Sequence, residues 1–155
     1  MSAYIYDYVS DDEFAMSDGT TVRSLETEFR RQLKAGAPPR DAFNDFWASR
    51  AKVVAAEINA AERSLISDKA AVQAALKGLQ PGADTLVLPR ELAGANGVGL
   101  RGDIGKWMRS QKYAYRVEWV YLNYYITSSR SRGNFYTPVL IAEPNILFMF
   151  KMKWF

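Results

Sequence analysis

The chain has 155 residues, 48% of them hydrophobic and 24% charged, with a net charge of +3. That length and balance suit one folded domain burying roughly 70% of its unfolded surface. It contains no cysteine and no histidine, which excludes disulfides, thiolate nucleophiles, zinc-thiolate sites and every mechanism that turns on an imidazole. Any catalysis would fall to Asp, Glu, Lys, Arg, Tyr or Ser, and no metal or cofactor is implied.

The charge is uneven. Residues 1–100 hold 11 Lys/Arg against 14 Asp/Glu, a net of −3, whereas residues 101–155 hold 9 against 3, a net of +6. A basic C-terminal third reads either as a solvated face or as a surface for nucleic acid or an acidic partner. The opening Met1–Tyr8 has no basic start and no long apolar run, so neither a signal peptide nor a membrane span is expected. The expected setting is cytoplasmic at synthesis.

In chain order, residues 1–20 form an acidic, tyrosine-rich arm. Tyr4, Tyr6 and Tyr8 alternate as in a short strand, and Asp7, Asp11, Asp12, Glu13 and Asp18 carry negative charge. Residues 21–78 are a helical region. The first helix starts near Thr21, with Val22, Leu25, Phe29 and Leu33 on one face, and stops at Gly36 before Pro38-Pro39. A long helix follows from Pro39 to Ile66, with Phe43, Phe46, Trp47, Val54, Ile58 and Leu65 on its apolar stripe. Ser67-Asp68 suits the cap of a separate third helix ending at Gly78, so a break is favoured over one continuous rod.

Residues 79–103 read as an extended, mobile, glycine-rich connection, with Thr85 to Pro89 as a short strand. Residues 104–155 then give a short helix and an antiparallel sheet. Its strands are Tyr113–Thr127, Phe135–Ala142 and Ile146–Phe155, the last from the alternation of Ile146, Phe148, Phe150, Met152 and Trp154 with the lysines. Pro138 suits an edge strand or a bulge. The expected class is α+β, with N-terminal helices packed on a C-terminal antiparallel meander of three to four strands.

Several short matches are weak. Gly99 to Lys106 resembles a phosphate loop, but Gly99 and Gly105 are misspaced and Trp107 stands where a Ser or Thr would hold magnesium. Arg101-Gly102-Asp103 matches an adhesion tripeptide, yet Asp103 is better placed to cap the following helix. Asp11-Asp12-Glu13 lacks the glycine-punctuated spacing of a calcium loop. Ser128-Ser-Arg-Ser-Arg-Gly133 is the best candidate for a functional loop, because Arg130 and Arg132 could reach phosphates or carboxylates bidentately.

Two functional classes follow. The first is a non-enzymatic structural protein that grips its neighbours. Its interface candidates are Tyr4, Tyr6, Tyr8, Arg130, Arg132, Phe150, Trp154 and Phe155, because a chain ending on an apolar strand must bury that strand. In size, arm-plus-hairpin layout and lack of catalytic residues the chain loosely resembles head–tail connector and tail-completion proteins of tailed bacteriophages. That resemblance implies a virion component acting as a homo-oligomer with other assembly proteins. The second class is a basic nucleic-acid-binding domain, with contacts at Lys112, Arg130, Arg132, Lys151 and Lys153, or a metal-independent ribonuclease toxin using Arg116, Glu118, Lys112 and Tyr115. A regulator that binds one target through exposed aromatics is a third option.

Overall fold

The computed structural model describes residues 13–95 and 97–155. The arm tyrosines Tyr4, Tyr6 and Tyr8 therefore lie outside the described residues. The elements in order are α1 (Val22–Lys34), α2 (Pro39–Ser67), α3 (Lys69–Ala75), β1 (Asp84–Val87), a single 3-10 turn at Arg90–Leu92, α4 (Gly102–Ser110), β2 (Arg116–Ile126), β3 (Ser131–Ala142) and α5 (Pro144–Trp154). The class is α+β, with a three-stranded antiparallel sheet in the order β1-β3-β2.

Local chemistry sets the helix ends. Thr21 and Ser24 cap α1 reciprocally, each side-chain oxygen accepting from the other's backbone N–H at 3.0 Å. Gly36, at φ 89°, takes the left-handed turn that stops the chain after α1. The expected break after α2 is present. Asp68 leaves the helical path and accepts from the Ala71 N–H at 3.2 Å, opening α3.

The chain falls into two compact units, residues 1–62 with 124–133, and residues 63–123 with 134–155. In the first, Val22, Ala42, Val53 and Ile126 are buried, and a column of rings runs through Phe29, Phe46, Trp47 and Phe43. The turn joining β2 to β3 is held by the buried Glu57. Its carboxylate accepts from the Thr127 hydroxyl and, at 3.3 Å, from the Ser128 N–H. The Arg50 guanidinium lies 5.0 Å from the Trp47 ring centre and donates to the Ser128 carbonyl at 3.1 Å.

In the second unit the sheet is packed on both faces. Val72 of α3 and Leu65 from the end of α2 cover Val120, Leu122, Val139 and Ile141. Ile104 and Met108 of α4, with Ile146, Leu147 and Phe150 of α5, cover Leu140 and Ala142.

Here one sequence expectation fails. Ile146–Phe155 is helix α5, not a third strand. The run is apolar enough to satisfy either period, but Pro144 sits in the first turn, where a missing N–H costs nothing, and the buried set Ile146, Leu147, Phe150 follows helical spacing. The third strand is the short β1 instead. It pairs with β3 through Thr85↔Ile141 and Val87↔Val139. Pro138 consequently lies in the central strand, not at an edge. Its carbonyl accepts from the Leu88 N–H at 2.9 Å, just past the last residue of β1. With no N–H of its own, Pro138 cannot return that bond, which accounts for where β1 stops.

The glycine-rich segment is closed rather than extended. Ala93 bridges Leu100, and the Gly94 N–H donates to the Gly99 carbonyl at 3.0 Å. Asp103 does not cap α4. It sits in the helix's first turn and pairs bidentately with Arg101 at 2.7 and 2.9 Å. That is a favourable place for an acid at a helix start.

Candidate functional site

The β1 edge is an exposed feature of the second unit. Because Leu88 bonds Pro138 and partners shift in steps of two, Leu86 and Asp84 turn their backbone groups toward β3. Thr85 and Val87 turn theirs outward. The Thr85 N–H is satisfied by the Asp84 carboxylate at 2.8 Å. The Val87 N–H and the Thr85 and Val87 carbonyls line an open edge.

That edge forms the floor of a groove of about 310 Å³. One wall is Ile66 from the end of α2, with Lys69 and Val72 of α3. The other is Leu147, Phe148 and Lys151 of α5. Each wall thus offers apolar side chains and one lysine. Lys69 Nζ donates to Asp84 at 2.7 Å, and this bond, more than the Thr85 amide or Lys151, holds the Asp84 carboxyl below its ordinary 3.8. The sign follows from that direction. The pair stabilises the fold above the unfolded carboxyl pKa, and the contribution disappears as pH falls through the lower folded value. Titration of the Asp84 carboxyl by NMR should place its midpoint below 3.8 in the wild type, and Lys69→Met should raise it toward that value.

From the groove wall outward α5 carries exposed apolar side chains. Phe148 is 61% exposed, Met152 70% and Phe155 61%, with Met149 beside them and Lys151 and Lys153 between. The interface candidates separate on this helix. Phe150 is a correction: at 0% exposure it is core, closed in by α4 and the sheet. Trp154 is half-buried, its ring edge-on to Trp107 at 6.2 Å, with Lys153 Nζ 5.5 Å from the Trp154 ring centre. Phe155 faces outward.

Of the residues weighed for catalysis, Arg116 and Glu118 hold backbone groups just past α3. Arg116 donates to the Gly78 carbonyl at 2.6 Å and stands 3.8 Å from Glu118, which accepts the Lys77 N–H at 3.2 Å. Together they pin the end of α3 to β2. Tyr115 packs into the α4–α5 core, and Lys112 stands exposed at a left-handed turn. Arg130 occupies a second left-handed position, exposed at the hairpin tip, and Arg132 follows on the exposed start of β3.

A second exposed feature is a stack of three rings on the sheet. Tyr136 lies between Trp119, at 5.0 Å, and Tyr121, at 4.4 Å and nearly parallel. Tyr121 is 60% exposed, and Arg90 donates to the Tyr136 carbonyl at 2.7 Å. Among the described residues no group of three or more His, Cys, Asp or Glu could hold a metal ion, and no helix is long and apolar enough to cross a membrane.

The groove was not visible in sequence. Lys69 and Asp84 are 15 residues apart, and nothing local marks β1 as an edge. A strand period puts Phe148 and Phe150 on one face, and only the helical period separates the exposed ring from the buried one. No family model, curated protein or solved structure matches the chain, so its geometry and chemistry carry the functional reading.

Proposed function

We propose that the protein is a non-enzymatic assembly component that associates with further copies of itself through the β1 edge and the outer face of α5. One observation carries this reading: α5 buries Ile146, Leu147 and Phe150 on one side and leaves Phe148, Met149 and Met152 exposed on the other, with Lys151 and Lys153 among them. Clustered exposed apolar surface of this sort marks an interaction site.

The charge division supports a head-to-tail arrangement, in which the basic C-terminal part of one copy meets the acidic N-terminal part of the next. Such contacts close into rings when the rotation permits. A ring at the head–tail connector or tail of a tailed bacteriophage is the setting this proposal favours, on the likeness of layout alone.

A second reading is single-stranded nucleic-acid binding. It is favoured by the open face of Tyr121 at the end of its ring stack and by the +6 charge of residues 101–155.

One experiment addresses both. Light scattering of the full chain across a concentration series should give a mass that rises with concentration and falls with added salt. Phe148→Ser with Met152→Ser should return it to the monomer mass without loss of fold, since both side chains are exposed. A strict monomer whose mass rises only on adding a single-stranded oligonucleotide would reverse the order of the two readings.

A further inference from the structure

We infer that the β1 edge is completed by the N-terminal arm of a second copy, residues 3–9, added as a fourth strand. This rests on the assembly reading and names the occupant of its groove.

The floor of the groove supplies what strand addition needs, an outward N–H at Val87 with outward carbonyls at Thr85 and Val87. An added strand sends alternate side chains to opposite sides. Exposed apolar side chains stand on both sides to meet them, Ile66 on one and Phe148 on the other.

The arm's sequence matches that demand. Tyr4, Tyr6 and Tyr8 alternate with Ile5, Asp7 and Val9, so each face of the segment is largely apolar. Residues 1–12 carry three aspartates, Asp7, Asp11 and Asp12, and no lysine or arginine. The groove holds Lys69 and Lys151 against the one carboxylate of Asp84, to which Lys69 donates, and so carries a single net positive charge. Glu13, the first described residue, is anchored to the Arg23 N–H at 2.6 Å. The twelve residues before it would span at most about 40 Å when fully extended.

The test uses two variants of the full chain. Val87→Pro removes the outward N–H and leaves the bonds to β3 intact, because those come from Leu86 and Leu88. Tyr6→Pro disables the arm and leaves the edge open. Each variant alone should associate about tenfold more weakly than the wild type, the equivalent of roughly one backbone hydrogen bond. Mixed together they should form a heterodimer of wild-type affinity and nothing larger, because the Val87→Pro copy still lends an arm and the Tyr6→Pro copy still offers an edge, while the other half of each copy is disabled. Circular dichroism should show both folded as the wild type. Wild-type association in both variants would overturn the arm proposal and leave the assembly reading standing, as would two weakened variants that fail to complement. A wild type that never associates would remove both.

Discussion

Phe150→Ala should destabilise the protein by about 3–5 kcal/mol, while Phe148→Ala, two residues away on the same helix, should change stability by less than about 0.5 kcal/mol. The two rings differ in burial, 0% against 61% exposed. Phe150 closes the core between α4, α5 and β3 against Ile104, Met108 and Leu140. Truncating it forfeits the transfer energy of a whole ring and leaves a cavity in a site locked by the sheet on one side and α4 on the other. A loss of that size is a large part of the roughly 5–15 kcal/mol that holds a domain folded. Denaturant unfolding of both variants reads the difference. Equal effects would mean that α5 is not seated in the observed orientation.

Glu57→Ala should cost about 2–3 kcal/mol. The carboxylate is buried on α2 and serves Thr127 and Ser128 at the hairpin turn, 70 and 71 residues away. Removing it leaves the buried Ser128 N–H without its acceptor, and an orphaned buried donor costs more than the bond itself was worth. Glu57→Gln keeps one acceptor oxygen and should cost clearly less. Hydrogen exchange at residues 126–131 should speed up in the alanine variant before the rest of the chain is affected. A neutral Glu57→Ala would mean that the turn holds itself through its own backbone.

The helices before residue 78 were legible because their punctuation is local. Thr21, Gly36, Pro38-Pro39 and Asp68 act on backbone groups within a few residues of themselves. The β2–β3 hairpin was legible for the same reason, since its alternation and turn residues are contiguous. The C-terminal helix was not, because Ile146 to Phe155 is apolar at both periods and Lys151 and Lys153 imitate the polar side of a strand. Pro144 following Glu143 was the one signal for a helix start.

The candidate site was least legible. Glu57 reads as an ordinary helix charge, and the Lys69–Asp84 pair joins elements with no local relation. The edge status of β1 depends on strand order, which places β3 in the centre. Arg116 and Glu118 were recognised as neighbours on a strand, but the groups they hold, Gly78 and Lys77, lie about 40 residues upstream.

These features converge on one surface. The open β1 backbone, the lysine-bearing walls of its groove and the bare side of α5 adjoin one another in the second unit. The acidic arm is the segment of the chain whose sequence complements them. A copy that lends its arm to one neighbour and receives another's would use every part of this arrangement once, as a head-to-tail ring requires.

Amide hydrogen exchange at Val87, followed while protein concentration is raised, tests this account most directly. Its N–H points away from β3 on an open edge. It should exchange rapidly in dilute solution and become protected over the same concentration range in which the mass rises. Exchange at Val87 that stays fast while the mass increases would show that the copies meet elsewhere, and would contradict the β1 edge as their interface.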